Sequence, residues 1–300
     1  LMQLIVLGLN HKTAPVEIRE RFNFSQDKTV RVLRRLINND NINEAVLLST
    51  CNRTELYLVL EDAAAGAAFL RTLLRHLAGG QYKPDYFYNL TGSNCIRHLF
   101  KVASSLDSLI IGEGQILSQI KSAYNLSRSR GMTATLLNTV FTRAITVGKR
   151  VRTETKIAYS SVSVSSAAVD LNQSNILILG AGRMSELTAR HLIDKGARTI
   201  FVSNRNLEHA KELAEKFNGT AIPYNGFMQQ AITSDIIITS TGAPHYVITA
   251  QGVRDILPQR NGKPLILIDI AVPRDIDPLA GEIEGVTLYN IDDLEGVVDM

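Results

Sequence analysis

Asn175-Ile176-Leu177-Ile178-Leu179-Gly180-Ala181-Gly182-Arg183-Met184-Ser185 reads as a buried strand that runs into a glycine turn and opens a helix. A Gly-x-Gly in that setting lets backbone amides approach a pyrophosphate at the positive end of the helix. The third glycine of the usual pattern is Ser185 here, a side chain small enough for close helix packing. Outward from the turn, the helix ends near Lys195-Gly196, residues 198–203 form the next strand, and a further helix runs to Phe217-Asn218-Gly219. Residues 236–240, 265–270 and 286–289 are later apolar strands. Strands that alternate with helices predict a parallel, doubly wound α/β sheet.

The end of the second strand bears on the ligand. A site for NAD generally places an acid there to hold the ribose hydroxyls, whereas this chain has Ser203-Asn204-Arg205. An arginine with small hydroxyl and amide neighbours suits a 2′-phosphate, so NADPH is the expected cofactor. Gly180, Ala181, Gly182, Arg183, Met184, Ser185, Ser203, Asn204 and Arg205 are its expected contacts. The bland alternative is a ligand-free α/β domain with an exposed loop arginine.

Upstream of that domain, residues 160–172 read as a bridging helix rich in serine, alanine and valine. From about 91 to 158 helical spacing dominates, with a helix from Ser93-Asn94 that carries Ile96, Leu99, Phe100 and Val102, and two more over 114–130 and 133–153. Residues 115–160 hold eight Lys or Arg against one acid, Glu154. Such a surface is either a solvated helical face or a contact for a phosphate backbone.

The first ninety residues follow the order β-α-β-β-α-β. Strands at 3–9, 44–48, 57–60 and 85–89 alternate with helices starting at Ser25 and at Ala63, which predicts a ferredoxin-like split βαβ unit. The connection between the second and third strands is Ser49-Thr50-Cys51-Asn52-Arg53-Thr54-Glu55. A cysteine at a strand connection is accessible to substrate, and a cationic neighbour favours the thiolate that attacks a carbonyl. An inert, partly buried cysteine is the competing reading of Cys51, and Cys95 reads as helix packing.

Three hundred residues with 45% hydrophobic content suffice for two cores, and a net charge of +3 settles no partner by itself. Two cysteines make no disulfide framework, which points to a reducing, cytoplasmic setting; no segment reads as a signal peptide or membrane span, and no metal-ligand cluster stands out. The expected architecture is α+β followed by α/β. Residues 2–158 form a catalytic domain (2–90 plus basic helices 91–158), residues 159–290 a Rossmann-type NADP-binding domain, and residues 291–300 the start of a further helix, with Leu1 outside the fold reading. A thiolate in one domain and a reduced dinucleotide in the next suggest a reductase that passes through a thioester.

Longer motifs extend this reading. Gly8-Leu9-Asn10-His11-Lys12-Thr13-Ala14-Pro15, residues 48–55, residues 98–108, Gly112-Glu113-Gly114-Gln115-Ile116-Leu117, the glycine turn, Ser203-Asn204-Arg205 and Asp269-Ile270-Ala271-Val272-Pro273-Arg274 closely resemble glutamyl-tRNA reductase. The resemblance covers nearly the whole chain. It implies NADPH-dependent reduction of glutamyl-tRNA to glutamate-1-semialdehyde, the first committed step of tetrapyrrole (porphyrin) synthesis from glutamate. It makes Cys51 the nucleophile, and Thr50, Asn52, Arg53, Ser108, Glu113, Gly114, Gln115 and Gln119 the substrate contacts, with Arg53 on a carboxylate. His98 matches a histidine important for activity, as proton donor, tRNA contact or packing residue. The family also implies a homodimer built on a long C-terminal helix, which this chain would carry only as a truncated beginning, and possible transfer of product to glutamate-1-semialdehyde aminomutase. Rival readings are a small-molecule NADP dehydrogenase with a structural cysteine and a non-catalytic tRNA-binding fragment.

Overall fold

A strand whose side chains are all buried needs a layer on each face, and Arg53–Leu60 is buried along all eight residues. The computed structural model describes residues 2–78, 83–108, 114–155, 174–194 and 196–293. The chain divides into two compact units, Leu1–Ser160 and Ser161–Met300.

The first unit runs β1 (Gln3–Asn10), α1 (Val16–Arg19), α2 (Gln26–Ile37), β2 (Ile42–Ser49), β3 (Arg53–Leu60), α3 (Ala63–Ala78), β4 (Tyr88–Thr91), α4 (Gly92–Ala103), α5 (Gln115–Ser129) and α6 (Thr135–Thr155). Its sheet has the order β2-β3-β1-β4 with antiparallel neighbours, the split βαβ arrangement. Leu33 and Leu36 of α2 and Leu70 and Leu73 of α3 pack on one face, against Ile5, Leu47 and Leu58. On the other face Leu99 and Val102 of α4, Ile120 of α5 and Phe141 of α6 meet Val6, Leu48 and Tyr57. The basic helices of the sequence are therefore the second cover of the sheet, with Arg128, Arg143 and Lys149 on their exposed side. Cys95 is fully buried in that cover.

β4 begins three residues later than its aromatic run suggests. Pro84 takes the first position of a 3₁₀ turn, Pro84–Tyr86, which Phe87 N–H closes onto the Pro84 carbonyl at 2.9 Å, so Asp85 and Tyr86 cannot join the ladder.

The second unit runs β5 (Asn175–Leu179), α7 (Arg183–Asp194), β6 (Thr199–Ser203), α8 (Leu207–Glu215), β7 (Thr220–Ile222), α9 (Phe227–Ala231), β8 (Ile236–Thr239), α10 (Ala250–Ile256), β9 (Leu265–Asp269) and β10 (Val286–Asn290). The sheet is parallel, in the order β10-β9-β8-β5-β6-β7. Strand order reverses between β5 and β8, and the crevice at their carboxyl ends is where such sheets bind ligands. β7 has no counterpart in the sequence reading, because three residues, none of them buried, carry no periodic signal. The expected helix over 160–172 and Glu113 lie outside the described residues, as does most of the expected terminal helix; residues 291–293 form a turn. Among the described residues, no helix is long and apolar enough to cross a membrane, and no group of three or more His, Cys, Asp or Glu could hold a metal ion.

One buried acid fixes the second cover in place. Glu44 of β2 accepts hydrogen bonds from the N–H groups of Ala134 (2.7 Å), Leu136 (3.1 Å) and Leu137 (2.9 Å), so its charge sits on the positive end of α6. Glu44→Ala removes both cap and charge. It is expected to lower the stability of the first unit by about 2 kcal/mol in urea unfolding.

Candidate active site

The β2–β3 hairpin closes in four residues. Thr50 N–H donates to the Arg53 carbonyl (2.8 Å), while Thr50 Oγ1 accepts from the N–H groups of Asn52 (3.2 Å) and Arg53 (3.1 Å). Thr50 thereby spends its side chain on the turn and leaves Cys51 half-buried at the tip. Two neighbours hold the tip from behind. His11 N–H donates to the Asn52 carbonyl (3.0 Å), and Nε of Arg19, itself buried, lies 3.5 Å from the Cys51 carbonyl. Asn52 is buried, and its Oδ1 has no hydrogen-bond partner among the described residues.

Strand alternation puts Arg53, Glu55 and Tyr57 on the face covered by α4–α6. Register then assembles a polar cluster within it. Glu55, Gly8 and Tyr88 lie side by side on β3, β1 and β4. A Cβ on Gly8 would stand 2.8 Å from Glu55 Cγ and 2.9 Å from the Tyr88 hydroxyl, so glycine is what lets Tyr88 reach across β1. Glu55 Oε1 accepts from Tyr88 (2.5 Å), Arg53 Nη1 (2.7 Å) and His98 Nε2 (2.8 Å), and Oε2 accepts from Tyr57 (2.5 Å). Burial opposes the Glu55 charge. The Arg53 cation and the hydrogen bonds from His98 and Tyr57 outweigh it and hold the carboxyl far below its ordinary range. An ionised Glu55 can only accept, so the His98 proton on this side resides on Nε2.

Arg53 is 1% exposed. Beyond Glu55 it donates to Asp107 Oδ2 from Nη1 (3.2 Å) and Nη2 (3.1 Å), and Nη2 also donates to the Asp107 carbonyl. Lys12 Nζ pairs with the other Asp107 oxygen at 2.7 Å. The arginine that the sequence reading aims at a substrate carboxylate is thus held by two carboxylates of its own chain. Ser108, next to Asp107, is buried; the Gly114 carbonyl accepts from Arg152 (3.1 Å), and Gln115 opens α5. Gln119 faces a separate groove at the β2 edge.

In the second unit, Gly180 turns the chain with φ of 99°, and a Cβ there would stand 2.4 Å from the Ser240 carbonyl oxygen. At Gly182 the nearest atom to such a Cβ is Ser240 Oγ at 3.8 Å, so a side chain would project into open space beside the turn. That space is a cleft of about 430 Å³ lined by Gly180, Gly182, Asn204, Arg205, Tyr224 and Thr241. The absence of side chains at the turn and the exposed Arg205, 5.7 Å from the Tyr224 ring centroid, fit a dinucleotide. Ser203 and Ser185 are fully buried, and their hydroxyls have no partner among the described residues. Asp275 holds Thr241 of the lining in place by accepting from its N–H (2.6 Å) and Oγ1 (2.5 Å). Burial pushes the neighbouring Asp269 up to about 7 although Ala271 N–H, Ile276 N–H and Thr239 Oγ1 all donate to it.

Sequence reasoning singled out neither Glu55, Tyr88 and Asp107 nor Asp269 and Asp275. The spacing of Arg53, Glu55 and Tyr57 was the available signal for the first; the others depend on partners distant in sequence.

A family model described as glutamyl-tRNA(Glu) reductase, N-terminal domain, matches residues 7–155, and one described as shikimate/quinate 5-dehydrogenase matches residues 161–297. Glutamyl-tRNA reductases of Thermodesulfovibrio yellowstonii and Trichlorobacter lovleyi are 44% and 46% identical over 99% of this chain, which covers 73% and 71% of theirs. A solved structure of glutamyl-tRNA reductase from Methanopyrus kandleri is 36% identical over 98% of this chain and 72% of that one, with a TM-score of 0.47.

His11 supplies a pH test of the cluster. Burial, followed by the charges of Arg53 and Lys12, lowers its pKa from 6.5 to about 4. The unfolded chain therefore binds more protons between those values, and the contribution of neutral His11 is complete above 6.5 and lost as pH falls toward 4. Between pH 7 and 4.5, His11→Gln is expected to lose about 2 kcal/mol less stability than the unaltered chain in urea titrations.

Proposed function

This chain belongs to the glutamyl-tRNA reductase family, and from that premise we propose that it converts glutamyl-tRNA to glutamate-1-semialdehyde through a thioester on Cys51, with NADPH as reductant. The observation that carries this reading is the half-buried thiol at the tip of a hairpin closed by Thr50 and backed by the Arg53–Glu55–His98 cluster. Cys51 Sγ attacks the carbonyl carbon of the aminoacyl ester, the ester C–O bond breaks, and the tRNA 3′-oxygen leaves with a proton. NADPH, when bound, supplies the hydride that turns the thioester into an aldehyde and returns the thiolate. Glutamate passes by this route into tetrapyrrole synthesis, in the cytoplasm.

The other site residues take the following parts in this reading. Thr50 and Asn52 shape the hairpin and, with Ser108, Gly114 and Gln115, line the glutamyl site; Glu113 is assigned there from the family motif alone, and Gln119 is left to the groove at the β2 edge. Arg53 grips the glutamate side-chain carboxylate by exchanging Asp107 for it, while Glu55 keeps the guanidinium oriented. His98 is positioned through Nε2 on Glu55 and serves the reaction from its other face. The turn that starts at Gly180 accepts the pyrophosphate, and Asn204 and Arg205 take the 2′-phosphate, with Ser203 buried at the strand end behind them. A homodimer and transfer of the aldehyde to an aminomutase complete the proposal.

Incubation with labelled glutamyl-tRNA in the absence of NADPH tests the central step. The unaltered chain and Cys95→Ser are expected to trap one glutamyl group each and Cys51→Ser none, while a separate titration shows Cys51→Ser still binding NADPH; a Cys51→Ser chain of normal turnover would sink the proposal. Arg205→Ala is expected to raise KM for NADPH at least about tenfold, as loss of a charge-assisted contact does, with a smaller change for NADH in the same steady-state assay.

A further inference from the structure

β2 is an edge strand whose outer rim is only partly covered. The register directs the N–H and C=O groups of Ala45, Leu47 and Ser49 away from β3. The Met132 carbonyl takes up Ala45 N–H at 2.8 Å, whereas Leu47 and Ser49 have no backbone partner on that side among the described residues. Beside them lies a groove of about 470 Å³. Phe24, Gln26 and Thr29 form one wall, and Ser118, Gln119 and Ser122 of α5 form the other. Its lining contains no acid, and Lys28 Nζ stands 4.7 Å above the Phe24 ring at the lip. The groove ends at Ser49, two residues from Cys51, about 7 Å along an extended chain.

We propose that this groove seats the unpaired 3′-terminal nucleotides of the acceptor end of tRNA and delivers the aminoacyl ester to Cys51. The inference rests on the thioester reading above and extends it to the nucleic-acid part of the substrate. The ester hangs from the terminal ribose, so a carbonyl at Cys51 fixes the last nucleotide within one residue's reach of the hairpin. Single-stranded RNA is held in part by hydrogen bonds to its exposed base edges and by cations on its phosphates. The amides and hydroxyls of both walls offer donors and acceptors and the outward backbone groups of Ser49 and Leu47 continue the row, while Phe24, buried under Lys28, forms the apolar floor. Lys28 serves a phosphate, and the basic exposed side of α5 and α6 continues that character toward the paired stem. An extended peptide pairing with the β2 edge is the rival occupant.

Ser122 is exposed on α5, outside the Cys51 hairpin and the Arg53–Glu55 cluster, so Ser122→Phe fills the groove without disturbing the core. Two measurements decide the matter: binding of a fluorescent ACCA oligoribonucleotide, and acylation of Cys51 by glutamyl-tRNA compared with a small activated α-ester of glutamate. The expected result is at least about tenfold weaker oligonucleotide binding and slower acylation by glutamyl-tRNA in Ser122→Phe, with the small ester and a Ser122→Ala control within about twofold of the unaltered chain. Equal oligonucleotide binding by the unaltered chain and Ser122→Phe overturns the groove, as does a parallel loss with both esters. Absence of any Cys51 adduct in the unaltered chain overturns the thioester reading instead, and the oligonucleotide titration still judges the groove.

Discussion

A carboxylate cut off from water has to be matched donor by donor, and Glu55 is matched by four groups from three elements. Arg53 and Tyr57 come from its own strand, Tyr88 from the far side of β1, and His98 from α4. Removal of any one leaves charge or hydrogen-bonding capacity stranded inside the second cover, where the penalty is greatest. The cluster therefore does structural and chemical service together. It pins α4 to the sheet, and it sets the direction of the guanidinium of Arg53, two residues from Cys51, and of the imidazole of His98.

The polar cluster exists only because one side chain is missing from this face of an unbroken sheet. Gly8 lies between Glu55 and Tyr88 in the lateral row, and its missing side chain is the passage through which the two meet. A similar economy operates at the second site. Gly180 approaches the Ser240 carbonyl more closely than any side chain allows, while Gly182 leaves the turn open to a ligand. Both units thus use backbone proximity to build polar sites that side chains of ordinary size would close.

Local signals in the sequence carried most of the architecture. The strand–turn–helix at 175–185, the alternation after it and the β-α-β-β-α-β order before it appear in the structure with shifts of a few residues. Pro84 moved one strand start, and three residues of β7 were too few to show a period. Cys51 and its neighbours were legible because they share one turn. The engagement of Arg53 was not, since Asp107 lies 54 positions away and becomes a neighbour only through the packing of the second cover. Tyr88 was equally hidden, because its link to Glu55 depends on the register of two strand pairs and on a glycine in a third segment. Thr50 differs again: the residue was singled out for substrate, and its hydroxyl is engaged in the turn.

Two layers of helices over a single sheet have a consequence for how such a unit can change. With β3 buried along its whole length, neither face of the sheet's interior is open to a visitor, and new chemistry has to be written on the perimeter. The strand ends and the outer rim of β2 are that perimeter. Substitutions there can alter what is received while the buried grid stays intact, so the scaffold can tolerate a change of cargo far more readily than a change of centre.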